Sequence, residues 1–202
     1  MTLDETVELV ESWGSDHIQR FGGTKQGGIY LQQEPREISN LILFLQHLDL
    51  KDINYLEIGC AVGGLTYVMN KFFDIKNTVL IDDEKHRIHG QLKEVLKDVE
   101  YNKWVGDSQS EQALEYMLNL NLKFDIIFID ADHSYEGVKK DTLNYTPFLK
   151  DKGFLIFHDA EEKYTGVKLW LNEITDNQIL GFKHVATFIQ NPGRLGIGVY
   201  QR

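Results

Sequence analysis

From residue 53 onward two kinds of stretch alternate along the chain. Short, nearly continuous apolar runs end at a glycine or an acid, and each leads into a longer stretch of mixed polarity. Runs of this kind suit parallel strands buried on both faces by helices. Those at 53–59, 78–81, 101–105, 124–129 and 154–157 predict strands, with helices at 63–73, 85–97, 111–120, 135–149 and 167–174. Ser108, three residues before Glu111, reads as the start of a capping box, and residues 151–153 read as a turn. Two closing runs, 182–189 and 195–200, flank Asn191-Pro192-Gly193-Arg194, which predicts an antiparallel hairpin. Ahead of residue 53 the spacing is helical. Leu3, Val7 and Val10 mark a helix over 3–20, and Ile38, Leu41, Ile42, Leu45 and Leu48 mark one from Pro35, a residue suited to the first helical position. Gly22-Gly23 and Gly27-Gly28 place a loop between these helices, where Lys25 and Gln26 either reach a ligand or are simply solvated. The expected fold is α/β, a doubly wound, mostly parallel seven-stranded sheet with an antiparallel final hairpin. It forms a single domain over 1–202, with 1–50 as a helical leading segment.

Composition narrows the class. With 202 residues, 42% hydrophobic and 26% charged, the chain can build a substantial core and is not a disordered polymer. A net charge of -10 without a dense Lys/Arg cluster argues against broad nucleic-acid binding. The longest apolar run, around Leu41 to Leu45, is too short to span a bilayer, and the first residues carry no apolar signal core. A lone cysteine, Cys60, fits a reducing compartment and reads as packing within a turn rather than as a nucleophile. These points predict a cytoplasmic protein with no membrane partner. A homo-oligomer is compatible with them.

The candidate chemistry lies at the strand ends. Glu57-Ile58-Gly59-Cys60-Ala61-Val62-Gly63-Gly64 is a strand, a glycine turn and a helix start, which brings backbone N–H groups to a ligand at the positive end of a helix dipole. Each predicted parallel strand stops at an acid: Glu57, Asp82 with Asp83, Asp107, Asp130 with Asp132, and Asp159 after His158. Acids there also cap helices, but ligands of open α/β sheets bind outside these same ends. Asp82 ends the second strand, where an acid commonly holds ribose hydroxyls of nicotinamide or adenosyl cofactors. Ala61 replaces the glycine that lets a backbone approach a pyrophosphate, so a cofactor without phosphate suits the turn better.

From about residue 53 to the end, the chain resembles the class I S-adenosylmethionine-dependent methyltransferases. The resemblance implies that Gly59 and its neighbours Ala61 and Gly63 face the methionine part of the cofactor, and Glu57 at the strand's end reads as a carboxylate able to accept hydrogen bonds from a ligand's hydroxyl or ammonium groups. Asp82, with Asp83 beside it, would take the ribose, and Gly106-Asp107-Ser108 the adenine. The segments 128–137 and 153–159 are similar to the metal-assisted small-molecule O-methyltransferases, which implies a divalent cation (magnesium or manganese) on Asp130, His158 and Asp159. An imidazole in that set suits manganese or iron better than magnesium. A metal-free reaction with His133 or His158 as base is equally allowed. The catalytic residues expected are therefore Asp130, His133 and His158, acting on a small-molecule hydroxyl acceptor. Tyr135, Tyr164, Trp104 and Glu161-Glu162-Lys163 either line its pocket or are ordinary core and surface. The region 22–34 would serve as a lid. Other readings are a nicotinamide-dependent oxidoreductase, a non-catalytic cofactor-binding protein and a metal-dependent hydrolase.

Overall fold

The computed structural model describes residues 1–15, 27–163 and 165–202. Its strands are β1 (Ile53–Ile58), β2 (Ile75–Asp82), β3 (Asn102–Val105), β4 (Phe124–Ile129), β5 (Leu149–Phe157), β6 (Lys183–Phe188) and β7 (Ile197–Gln201). They form one 7-stranded sheet in the order β3-β2-β1-β4-β5-β7-β6. All neighbours from β3 to β5 are parallel, and β7 enters antiparallel between β5 and β6. The helices are α1 (Leu3–Trp13), α2 (Pro35–Gln46), α3 (Gly64–Phe72), α4 (Leu92–Val95), α5 (Glu111–Leu120), α6 (Tyr135–Tyr145) and α7 (Gly166–Asn177).

Strand alternation divides the core in two. Ile53 and Tyr55 of β1 pack with Ile126, Phe128, Phe154 and Ile156 under α1, α2 and α3. Leu56 and Ile58 pack on the opposite face with Val79, Ile127, Leu155 and Phe157 under α5, α6 and α7. Glu57 shares the face of Tyr55, so an acid enters a layer that is otherwise apolar.

Several boundaries differ from the sequence reading, each for a local reason. The first helix stops at Trp13 because Gly14 adopts φ 104 and meets Gly27, whose carbonyl oxygen would lie 2.3 Å from any added Cβ. Residues 16–20, the Gly22-Gly23 pair, Lys25, Gln26 and Tyr164 lie outside the described residues. The charged stretch 85–97 forms only a 3₁₀ turn (His89–Gln91) and the short α4, since Leu92, Val95 and Leu96 are its only buried apolar residues. Ser110, not Ser108, caps α5 by accepting from the Ala113 amide; the Ser108 hydroxyl donates to Asp141 at 2.7 Å instead. The helix expected to run to residue 149 ends at Tyr145 in a 3₁₀ turn around Pro147, which has no N–H to continue it. Residues 151–153 are not a turn between elements but an irregularity within β5, where the β4 register slips and Lys152 takes φ 62.

Two glycines set how closely the layers approach. A Cβ on Gly59 (φ +83) would lie 2.1 Å from the Asp130 carbonyl oxygen, so β1 and β4 leave the sheet nearly touching. One on Gly64 would lie 2.7 Å from Ile29 O and 3.0 Å from Leu31 Cα, which brings the chain ahead of α2 directly over the glycine turn. Gly59→Ala is expected to lower stability by about 3 kcal/mol or more, through backbone collision and a left-handed φ together. Gly90→Ala, where an added Cβ meets nothing within 4 Å, should change the urea midpoint little.

Candidate active site

The carboxyl ends of β1, β2, β3 and β4 open onto a cavity of about 600 Å³, within the range of small-molecule sites. Glu57, Gly59, Ala61, Asp82, Asp83, Gly106, Asp107, Ser108, Asp130 and His133 all line it. Gly63 does not. It takes φ +80 at the start of α3, with Leu96 packed where a Cβ would stand, and Gly64 faces the cavity in its place. His158 and Asp159 lie behind Asp130 rather than on the wall, at 6% and 4% exposure. Trp104, Tyr135 and 161–163 are absent from the lining.

The wall also holds residues that motif reasoning missed: Tyr30, Gln32 and Gln33 from the leading segment, and His86 beyond β2. The expectation of a lid over 22–34 covered this stretch of chain but singled out none of its residues. Nothing in the type or spacing of the two glutamines marked them.

Asp82 first serves the fold. One of its oxygens accepts from the Ala61 amide at 2.8 Å and the other from Glu84 N–H at 2.7 Å. It thereby fastens the glycine turn to the end of β2 and holds Ala61 in a left-handed conformation (φ 48) that glycine would take freely. Each oxygen keeps a second lone pair for a ligand. Beneath the turn, Glu57 is 2% exposed, and one of its oxygens accepts from Tyr55 Oη at 2.8 Å and Thr66 Oγ1 at 2.6 Å. Burial pushes its carboxyl up to about 8 against those bonds. Cys60, buried beside it, has its thiol raised by burial as well, which suits packing and not nucleophilic attack.

A second group of polar side chains gathers around Asp130. Its Oδ1 lies 3.2 Å from His133 Nε2 and 3.3 Å from His158 Nδ1, and its Oδ2 accepts from Gln33 Nε2 at 2.8 Å. Asp159 Oδ2 is 3.2 Å from the same His133 nitrogen and 3.7 Å from His158 Nδ1. Burial alone would raise the Asp130 carboxyl, yet the two imidazoles hold it well below the usual carboxylate range. His133 is raised by its bond to Asp130. For His158, burial works downward, but Asp130 outweighs it and lifts the imidazole to about 9. Burial raises Asp159. One donor atom each from Asp130, His133 and Asp159 lies within 4.8 Å of the others. In that group His133 stands where the sequence reading placed His158, whose Nε2 is buried without a partner among the described residues.

Residues 56–160 match a family model described as a methyltransferase domain. The chain belongs to that methyltransferase family. Comparison with curated proteins gives no match. Among solved structures, an O-methyltransferase from Bacillus cereus in complex with SAH is 14% identical with a TM-score of 0.64, covering 98% of this chain and 89% of that one. TomG, an O-methyltransferase from Streptomyces achromogenes in complex with SAM, is 14% identical at a TM-score of 0.63, with 95% and 88% covered. The N-methyltransferase NodS from Bradyrhizobium japonicum WM9, in complex with SAH, is 17% identical at 0.59, with 98% and 95% covered. No helix among the described residues is long and apolar enough to cross a membrane.

The methyltransferase also buries two acids behind its site. Glu37 Oε1 accepts from Gln190 N–H at 2.9 Å and Oε2 from Gly196 N–H at 3.1 Å, while Asn191 Nδ2 donates to both oxygens of Glu34 at 2.8 and 2.9 Å. Burial pushes Glu37 up to about 7. Glu37, Glu57 and His158 are therefore all raised on folding, from ordinary values of 4.5, 4.5 and 6.5. The folded protein holds more protons than the unfolded chain between about pH 5 and 9, so its stability falls as pH rises through that window. Urea midpoints measured from pH 5 to 9 should decline. Glu57→Gln should remove its share of the slope below pH 8, about 1.4 kcal/mol per pH unit for a whole proton.

Proposed function

We propose that this methyltransferase carries a methyl group from S-adenosylmethionine to a hydroxyl oxygen of a small molecule. The observation that carries the reading is a single cavity lined by the glycine turn, Asp82, Asp130 and His133, with Asp159 buried behind it against His133. Its volume and open backbone at Gly59 and Gly64 suit a nucleoside cofactor. The solved O-methyltransferases of the same fold, in complex with SAM or SAH, support that assignment. Hydride transfer from a nicotinamide fits less well: β7 runs antiparallel between β5 and β6, whereas dinucleotide folds keep the order 3-2-1-4-5-6.

A sulfonium is already a good leaving group, so the protein has to align the acceptor and take its proton. His133 is half-exposed at the cavity wall, with Nε2 directed at two carboxylates. Those carboxylates stabilise an imidazolium, so His133 can hold a proton once it has accepted one. The bond to Asp130 raises its pKa, so turnover should rise with pH as the ring loses its proton and becomes free to act as a base. Asp130 stays ionised and orients the ring. Asp130, His133 and Asp159, two oxygens and one nitrogen, are also a donor set that would hold a divalent cation such as manganese. When bound, that ion supplies acidification and alignment of the acceptor hydroxyl.

Calorimetry with S-adenosylhomocysteine and with NADH decides between the cofactors. Binding of the first alone is expected, with loss on Asp82→Ala. NADH binding without S-adenosylhomocysteine binding would sink the reading. In a screen of hydroxyl and amine acceptors, turnover should appear with hydroxyls, and His133→Gln should reduce it about 100-fold.

A further inference from the structure

We propose that Gln33 is a positioning residue for Asp130, and that the loop between β6 and β7 holds Gln33 in place. Gln33 lies outside the matched stretch 56–160, so it belongs to the part of the chain the family model does not describe. Its side chain is 4% exposed, lines the cavity, and donates from Nε2 to Asp130 Oδ2 at 2.8 Å. Only the amide NH₂ of a glutamine can donate to an ionised carboxylate, so the chemistry fixes the orientation of the amide. Oδ2 is thereby occupied, and Oδ1 is the oxygen left facing His133 and His158. A carboxylate with one oxygen tied cannot spin about its last bond. The two imidazoles therefore see a single geometry, as a preorganised site requires.

Gln33 is not held by its own bond alone. The next residue, Glu34, is fully buried, and both its oxygens accept from Asn191 Nδ2. One helical turn on, Glu37 takes the amides of Gln190 and Gly196. The loop that carries Asn191-Pro192-Gly193-Arg194 thus grips the start of α2 from behind, while Gln33 reaches forward to Asp130. Ile29 and Leu31 lie against Gly64 on the other side. The loop is thus tied to the Asp130 carboxylate in three links: hydrogen bonds from Asn191 to Glu34, the peptide bond between Glu34 and Gln33, and the hydrogen bond from Gln33 to Asp130. Asn191 takes part in it without lining the cavity.

The inference rests on the role given to Asp130 under the proposed function, but the bond itself can be tested without an acceptor. In the full chain, imidazole ring-nitrogen resonances of His133 and His158 would be compared between wild type and Gln33→Met, which keeps the volume and removes the donor. Both sets of signals should shift. Asn191→Ala should shift the same signals by a smaller amount. Asn40→Ala, on α2 with its side-chain amide donating to Arg36 O, should leave them in place. Should Gln33→Met not fold, Gln33→Glu puts an acceptor where the donor was and should shift the signals further. Unchanged His133 and His158 resonances in either Gln33 variant would overturn the proposal, as would equal shifts from Asn40→Ala. A wild type that fails to bind S-adenosylhomocysteine would instead sink the methyl-transfer reading, leaving the resonances to judge the Gln33 bond.

Discussion

A carboxylate taken out of water must be surrounded by donors or it will not stay charged. This chain meets that condition at the rim of its sheet with unusual density. Asp130 has two imidazoles and an amide, Asp82 has two backbone amides, Glu34 and Glu37 have the hairpin loop, and Glu57 has two hydroxyls. The solutions differ in kind. Around Asp130 the donors can be cationic, so the acid stays ionised. Around Glu57 they are neutral hydroxyls, and the acid keeps its proton to about pH 8. The same functional group, a carboxyl, thus yields a fixed negative charge at Asp130 and a protonated group at Glu57.

The backbone is bent to serve the same end. Asp159 holds φ 55 and Ala61 holds φ 48, both in the left-handed region that side chains avoid. Asp159 sits two residues past β5 and Ala61 three past β1, where the chain turns sharply at the rim. Strain of this sort persists only where neighbours over-determine it. For Ala61 the Asp82 carboxylate does so, and beside Asp159 the Ala160 N–H donates to the Gly196 carbonyl.

The sheet was legible in the sequence because a strand buried on both faces has to be continuously apolar, and few other structures demand that. The acids at its edge were legible for a related reason: nothing apolar can stand where the strands meet water. What stayed hidden depended on contacts between distant residues. Whether His133 or His158 completes a triad with Asp130 and Asp159 turns on which ring faces the cavity, and both lie equally near the motif. Gly63 and Gly64 exchange roles because Leu96 and Leu31, far apart in sequence, pack on one and the other. Gln33 carries no motif at all; its importance comes from Asn191 and Gly64 pressing its segment toward Asp130.

The grip of the hairpin loop on α2 has a consequence for how the chain is made. Asn191 meets Glu34 across 157 residues and Gly196 meets Glu37 across 159. A ribosome takes roughly ten to thirty seconds to synthesise that span. Until it has, two carboxylates near the front of the nascent polypeptide have no mates. The clasp between the hairpin loop and the start of α2 therefore closes only after both partners have been made, well after α2 has packed against β1 and α3.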